Sequence, residues 1–241
     1  MSRKQNIRGI VIRTRIFVEN DLIISILTDE GMHIECVAKG AGGKSKRKSH
    51  LEVMNLIDAS LYQGKQHFYL QEVRSKNCYV HLKDNLEKIL ESQLLLEIIQ
   101  KGVLQEDPHP EVYKLLIETF EDLNKKESHN FTIQRALIQL AHLLGFLPSF
   151  KNCGTCHKEI ITDEGHFNQE NSTLHCQSCA NDEHIHLALK YRKVFEFCRN
   201  ASKEEYEKVH IEKADHALIK SIVPHFFTPH FNSPLKSLSF V

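Results

Sequence analysis

The spacing of the hydrophobic residues changes near residue 80 of this 241-residue chain, and that change limits which folds the sequence can adopt. Up to that point, apolar and polar residues alternate in short runs rich in β-branched and aromatic side chains, a pattern typical of half-buried strands. The runs cover residues 7–13, 22–28, 32–39, 56–62 and 67–73, with a weaker one at 77–81. Beyond them, apolar residues recur every three to four positions, which predicts helices.

Short strands joined by turn-forming residues and by one long glycine-rich loop favour a small barrel over a sandwich, and we predict an OB-fold. The later periodicity predicts helices that begin near Leu86 and Glu111, and others at 131–144, 187–200 and 213–222. The predicted class is therefore α+β with several domains. An OB-fold barrel spans 1–80, a helical domain spans 81–150 and 183–241, and a four-cysteine module at 151–182 lies between its two parts.

Four of the seven cysteines form two C-x-x-C pairs with nineteen residues between them: Cys153, Cys156, Cys176 and Cys179. In a reducing compartment, clustered cysteines are metal ligands more often than disulfides. Each pair presents two thiolates, and two pairs complete the tetrahedral shell of one Zn²⁺. Because such a shell has no open position, we predict one structural zinc. An unmetallated thiol cluster or a redox pair is the alternative.

A catalytic zinc site is a weaker interpretation of the same segment. His157 and Glu159, taken with Cys176 and Cys179, imitate the H-x-E and P-C-x-x-C elements of zinc deaminases. However, His175 stands where that pattern requires proline, and the first cysteine pair would have no function. A zinc-dependent nucleobase or nucleotide hydrolase is therefore kept only as an alternative. The sequence places no other catalytic grouping together, so we expect no enzymatic activity.

Charge is distributed unevenly, although 31 basic and 31 acidic side chains balance over the whole chain. Residues 1–80 carry 13 basic and 8 acidic side chains, a net of +5, and the remainder carries 18 and 23, a net of −5. The basic loop, residues 39–48, contains no acid and concentrates the excess in Lys39, Lys44, Lys46, Arg47 and Lys48. Arg13 and Arg15 alternate onto one face of the first strand. These residues predict phosphate contacts, with a merely solvated loop as the alternative.

The start of the chain is polar and lacks the apolar run of a signal peptide, and no apolar stretch is long enough for a transmembrane helix. We therefore expect a cytosolic protein. Arg135 lies beside the apolar stripe of the helix at 131–144, where a basic side chain suits an acidic peptide terminus. An arginine that extends along the helix surface into solvent is the alternative for that residue.

Several segments, taken in order, resemble the RecO family of bacterial recombination mediators and DNA repair proteins. They are G-I-V-I-R-T-R at 9–15, E-N-D-L-I-I at 19–24, V-A-K-G-A at 37–41, L-G-F-L-P at 144–148 and P-L-K-S at 234–237. The A-K-G-A segment and the two C-x-x-C pairs are the most specific. The resemblance covers essentially the whole chain.

The resemblance implies an amino-terminal OB-fold, a helical domain and a zinc module. It also implies binding of single- and double-stranded DNA, annealing of complementary strands, and cooperation with RecR in loading the recombinase RecA. The acidic tail of single-stranded DNA-binding protein is a further implied partner, and Arg135 is similar to the family's basic residue in that helix. The implied location is the cytoplasm, at the nucleoid. A zinc-ribbon protein–protein adaptor without a DNA role is the main alternative.

Overall fold

The computed structural model describes residues 4–105, 107–125, 131–206, 208 and 211–240, and divides the chain between residues 128 and 129. The amino-terminal unit is Met1–Ser128 and the carboxyl-terminal unit is His129–Val241. In its described residues, the first unit contains three α-helices in addition to five strands. The domain boundaries given above stay a prediction.

The strands of the amino-terminal unit close into a barrel in the order β1-β2-β3-β5-β4. Their bounds are Lys4–Ile16 for β1, Leu22–Thr28 for β2, His33–Ala38 for β3, Leu56–Gln63 for β4 and Phe68–Asn77 for β5. The barrel pairs are antiparallel except for β3 with β5, which is parallel. Alternate residues such as Ile24, Cys36 and Leu61 point inward and form the core, as the period-two pattern predicts.

The predicted strand at 77–81 is wrong, because the chain turns there into helix α1, Val80–Lys83. Tyr79 adopts a φ of 47°, in the left-handed region, and ends the extended run. Its N–H donates to the side chain of Asn77 at 3.0 Å. The buried ring packs edge-on against Phe120, with 5.5 Å between the centroids. Strand pairing therefore ends at Asn77, and Tyr79 packs into the core from a turn.

The longer helices of this unit are α2, Leu86–Gly102, and α3, Pro110–Leu123. The side chain of Asn85 caps α2 by accepting a hydrogen bond of 3.0 Å from the N–H of Lys88. The N–H of Lys88 belongs to the first turn of the helix, where backbone N–H groups have no carbonyl partner within the helix. Both helices agree with the predicted positions.

The carboxyl-terminal unit combines helices with a small sheet of strand order β7-β6-β8. The helices are α4, Thr132–Leu143; α5, Leu189–Cys198; α6, Lys203–Tyr206; and α7, Lys213–Ile222. The strands are β6, Gly165–Asn168; β7, Thr173–Cys176; and β8, Ile185–His186. Phe150, Phe195 and Phe226 are buried with their rings in mutual contact. The predicted α+β class, with a β-rich first part and a helical second part, is confirmed.

In the described part of the chain, no helix combines the length and the apolar character that crossing a bilayer requires.

Candidate metal centre and nucleic-acid interface

The two cysteine pairs converge in the carboxyl-terminal unit. The first pair lies on a tight turn, in which the N–H of His157 donates to the carbonyl of Cys153 at 2.9 Å. The second lies at the end of β7, where the N–H of Cys179 donates to the carbonyl of Cys176 at 3.0 Å. A hydrogen bond of 2.7 Å from Gly154 N–H to the Leu174 carbonyl joins the first turn to β7. Thus β7 brings the second pair to the first.

The sulfur positions fit one tetrahedral metal ion. The four Sγ atoms lie within 4.8 Å of one another, and those of Cys156 and Cys176 are 3.8 Å apart. Zinc–sulfur bonds of about 2.3 Å in a tetrahedron require sulfur–sulfur distances of about 3.8 Å. All seven cysteines lie in the described residues and none forms a disulfide. The four cysteines are therefore able to bind a metal ion.

The backbone around the cluster favours one thiolate in particular. Burial opposes ionisation of Cys153, but backbone hydrogen bonds from Cys156, Cys176 and Thr155 outweigh it and lower its pKa to about 5. Cys179 shows the opposite effect, since its side-chain hydrogen bond with Cys176 and its burial raise its pKa to about 12. Metal ligands must be thiolates, so the lowered pKa of Cys153 favours its role as a ligand.

Histidines surround the cluster but have other partners. His175 is buried, and its two ring nitrogens lie 3.1 Å and 2.8 Å from the hydroxyls of Thr155 and Thr173. Its ring stacks on that of His184 at 4.7 Å between centroids. His186 hydrogen-bonds through Nε2 to the carbonyl of Asp163 at 2.7 Å. These contacts explain the positions of the three rings, and none of them requires a metal ion.

Arg192 in α5 supports the metal module, and the sequence analysis missed it. Its guanidinium is buried and donates to the backbone carbonyls of Ile160, at 2.7 Å, and of Thr162. Both carbonyls belong to the segment between the first cysteine pair and β6. The only sequence signal is a basic residue in an amphipathic helix, which is usually exposed.

The basic loop in the amino-terminal unit is tied to the turn between β1 and β2. The N–H of Gly40 donates to the carboxylate of Asp21 at 2.7 Å, and that of Gly42 donates to the carbonyl of Asn20 at 2.6 Å. Arg47 is half-buried and its guanidinium donates to the carbonyl of Lys39. The loop is therefore an ordered structure whose outer side chains share a fixed support.

Four predicted phosphate ligands of this loop are exposed: Lys39, Lys44, Lys46 and Lys48. Among the residues that the structure describes, none of these lysines forms an ion pair. The ammonium of Lys39 lies 5.2 Å from the centre of the Tyr69 ring. The loop thus presents uncompensated positive charge to solvent.

Asn55 anchors the end of the loop, and no sequence signal pointed to it. This side chain is fully buried. Its Nδ2 donates to the carbonyls of Ser49 and His50 at 2.9 Å and 3.2 Å, and its Oδ1 accepts from Lys83 Nζ at 2.6 Å. One amide therefore fixes the short helical turn Lys48–Leu51 against the barrel.

The two predicted arginines of β1 lie outside the loop and have partners. Arg13 donates to the side chain of Gln100 at 3.3 Å, and Arg15 pairs with Glu35 at 3.4 Å. Both side chains are exposed. Their role in phosphate binding stays a prediction.

Arg135 lies on α4 in the other unit and is only 4% exposed. Its guanidinium carbon lies 5.1 Å from the centre of the Tyr206 ring. Its Nε is buried and has no hydrogen-bond partner among the residues that the structure describes. Its role in partner binding stays a prediction.

Comparison with protein families covers nearly the whole chain. The family model described as "Recombination protein O N terminal" matches residues 1–79. The model described as "Recombination protein O C terminal" matches residues 84–239, which is more than half of the chain.

Curated proteins named "DNA repair protein RecO" are similar to this chain. The one from a strain of Dehalococcoides mccartyi is 24% identical over 177 residues, 73% of this chain and 70% of the relative. The one from Syntrophobacter fumaroxidans is 28% identical over 154 residues, 63% and 61% of the two chains. The one from Alkaliphilus metalliredigens is 21% identical over 228 residues, 93% and 92% of the two chains. The chain belongs to the RecO family of DNA repair proteins.

Proposed function

We propose that this chain is a non-enzymatic DNA-binding mediator of recombinational repair, whose barrel is an OB-fold and whose basic loop binds phosphates without reading sequence. Family membership supports a role in DNA repair and recombination. The observation that carries the more specific proposal is the basic loop, with its ordered backbone and its four exposed lysines. Phosphate contacts of this kind position a nucleic acid strand but do not distinguish its bases.

The four cysteines are proposed to hold one structural Zn²⁺. Four thiolates fill the coordination shell and leave no position for an activated water, so the site supports folding rather than hydrolysis. When bound, the ion would supply a cross-link between the turn at Cys153 and the end of β7. Proton release from the thiols would accompany binding.

The partners of this activity are proposed from the family resemblance. They are single- and double-stranded DNA, RecR, and the acidic tail of single-stranded DNA-binding protein, and the activity includes strand annealing and loading of the recombinase. We propose a cytoplasmic location, at the nucleoid. Charge supports DNA contact through the amino-terminal unit, because the net positive charge lies within residues 1–80.

A salt titration of DNA binding tests the proposal. A labelled oligonucleotide of mixed sequence is titrated with the wild type and with the triple variant Lys44→Gln/Lys46→Gln/Lys48→Gln. This variant keeps Arg47, whose side chain hydrogen-bonds within the loop. Affinity should fall steeply with salt, and the variant should lower the logarithmic slope by about two, since each single-strand phosphate contact contributes about 0.7.

The matched control is Lys114→Gln/Lys158→Gln/Lys193→Gln, which removes the same charge from exposed positions elsewhere. It should leave the slope near that of the wild type. Equal slopes for all three proteins would remove the loop from DNA binding. Absence of binding at low salt would favour the zinc-ribbon adaptor without a DNA role.

A further inference from the structure

The amino-terminal unit contains a cavity of about 640 Å³ at the end of the barrel where β1, β3 and β5 begin. Each of these strands contributes one half-buried apolar side chain to its wall: Ile7, Ile34 and Phe68. The turn between β2 and β3 and Gln105 after α2 complete the lining. Sites for small molecules usually measure about 300–1,000 Å³ and combine apolar walls with a few polar groups. The cavity is therefore large enough for a small ligand.

His33 brings a buried acceptor without a donor to this cavity. The residue lines the cavity and is only 8% exposed. Its Nδ1 lies 3.3 Å from the carbonyl oxygen of Val103. Because a carbonyl only accepts, Nδ1 carries the proton, and Nε2 of the neutral ring keeps a free lone pair. Among the described residues, Nε2 is buried and has no hydrogen-bond partner. A buried acceptor of this kind costs stability until a donor reaches it, so the site suits a ligand that supplies an N–H.

Carboxylates give the cavity a negative charge. Asp29 and Glu30 are exposed in the turn between β2 and β3, and neither forms an ion pair with another described residue. Glu35 also lines the cavity, but it pairs with Arg15 at 3.4 Å and accepts from the hydroxyl of Ser25 at 3.0 Å. No lysine or arginine is among the described lining residues. The cavity therefore favours a cation and opposes phosphates, unlike the basic loop.

An organic cation fits these groups better than a metal ion does. Among the described residues, the histidines and carboxylates of this cavity bring no three ligand atoms within 4.8 Å of one another. A guanidinium spans a wider set of acceptors, because it is planar and carries five N–H donors in a rigid fork. It is also weakly hydrated, so it tolerates a half-buried site with apolar walls.

We propose that this cavity binds an alkylguanidinium cation, with His33 Nε2 and the carboxylates of Asp29 and Glu30 as acceptors and the apolar wall against the alkyl chain. The inference is independent of the proposed DNA binding, because it uses no residue of the basic loop. A free small guanidine and the arginine side chain of a peptide carry the same group, and the test below distinguishes these two sources.

Isothermal titration calorimetry of the full chain with agmatine, a small alkylguanidinium, tests the proposal. One agmatine should bind per chain with a Kd of about 0.1 mM. Putrescine carries an ammonium in place of the guanidinium and should bind at least about tenfold more weakly, since it lacks the planar fork of donors. A capped glycine peptide with one central arginine presents the same group on a side chain, and it is titrated under the same conditions.

Two variants remove the proposed acceptors separately. His33→Asn removes Nε2 but keeps a side-chain amide that is able to donate to the Val103 carbonyl, and it should weaken agmatine binding about tenfold. Asp29→Asn/Glu30→Gln removes the two turn charges and should weaken binding at least about fivefold. Because both carboxylates are exposed, the double variant should keep the wild-type melting temperature even if His33→Asn does not.

Matched controls make the same chemical changes at exposed positions of the same unit. His81→Asn removes an exposed histidine, and Asp84→Asn/Glu121→Gln removes two exposed carboxylates. Both controls should bind agmatine like the wild type, because none of these residues lines the cavity.

The outcomes separate the two sources and also define failure. Binding of agmatine without binding of the peptide identifies a free guanidine, and tighter binding of the peptide identifies an arginine side chain; both support the proposal. Absence of binding of both probes overturns it. Equal affinity for agmatine and putrescine overturns the guanidinium assignment, because charge alone would then explain binding. Agmatine binding that neither His33→Asn nor the double variant weakens places the site elsewhere and also overturns the proposal.

Discussion

Arg192 donates a hydrogen bond of 2.7 Å to the carbonyl oxygen of Ile160, and thereby joins α5 to the segment that carries the first cysteine pair. The same guanidinium donates to the carbonyls of Thr162 and, at 3.4 Å, of Phe150. The residue is 2% exposed, and burial lowers its pKa below the usual value for arginine. A buried cation thus satisfies backbone carbonyls that lie 30 or more residues away in sequence.

Arg192→Met should lower the free energy of unfolding of the carboxyl-terminal unit by about 3 kcal/mol, because it leaves buried carbonyls without donors. Chemical denaturation of the purified protein measures this change. Arg199→Met is the matched control, since that arginine is exposed at the end of the same helix and pairs with Glu196 at a distance of 3.9 Å. Equal losses in the two variants would contradict a bracing role for Arg192.

Metal content is the second expected outcome. The purified protein should contain one zinc per chain, with four sulfurs at about 2.3 Å in X-ray absorption. Cys153→Ser should abolish tight zinc binding, whereas Cys78→Ser, outside the cluster and half-buried, should retain it. Chelation should increase hydrogen exchange in β6 and β7, because binding of the ion also stabilises the fold of its ligand segment. A shell that contains oxygen or nitrogen would contradict a four-thiolate site.

Asn55 holds the carboxyl end of the basic loop, because its amide donates to the carbonyls of Ser49 and His50 directly after the loop. Asn55→Ala should cost about 2 kcal/mol of stability, since it leaves buried carbonyls unsatisfied. It should also weaken oligonucleotide binding without removing any charge, because the lysines lose their fixed support. Asn200→Ala, at an exposed position, is the control. If the Asn55→Ala protein were destabilised but bound DNA with unchanged affinity, the prediction that DNA binding requires an ordered loop would be wrong.

Local patterns predicted most of the strands and helices. β2 has the predicted bounds, 22–28, and its residues Leu22, Ile24 and Ile26 lie in the barrel core. β5 extends past the predicted end at 73 to Asn77, where charged residues continue the alternation on an outward face. The predicted strand at 77–81 is wrong for a physical reason. An aromatic residue such as Tyr79 is as common in a strand as in a turn that buries its ring, so the residue types alone do not distinguish the two. Sequence alone does not show where such a ring packs.

The sequence predicted those parts of the candidate site whose residues follow a recognisable spacing. The spacing of the cysteine pairs specifies a shared shell, and the four sulfurs do lie together. Arg192 and Asn55 carry no such signal, because their partners are backbone carbonyls whose positions depend on the tertiary fold. For Tyr69, the sequence supplies part of the information. Alternation along a strand predicts that one of Phe68 and Tyr69 faces outward, and the structure places Phe68 against the core.

Acid sensitivity of the barrel should depend on Asp58. Its carboxylate pairs with Arg8 at 2.8 Å, with Arg74 at 3.1 Å and with Lys76 at 3.9 Å. The hydrogen bond from Arg8 is the largest influence on its pKa, which is lowered from the ordinary value. Arg8 and Arg74 are the cross-strand neighbours of Asp58 on β1 and β5. One carboxylate therefore offsets the repulsion between cations on neighbouring strands.

Because the pKa of Asp58 is lower in the folded than in the unfolded state, its stabilisation is fully present above the unfolded value of about 3.9 and is lost as the pH falls through the folded value. Asp58→Asn should therefore cost about 1 kcal/mol near neutral pH, the upper range for ion pairs at a surface. The difference from wild type should shrink below about pH 4. Asp182→Asn, an exposed carboxylate in the other unit, should show no such dependence. Denaturant titrations of the three proteins across acidic pH measure the effect, and a constant difference between Asp58→Asn and the wild type would contradict it.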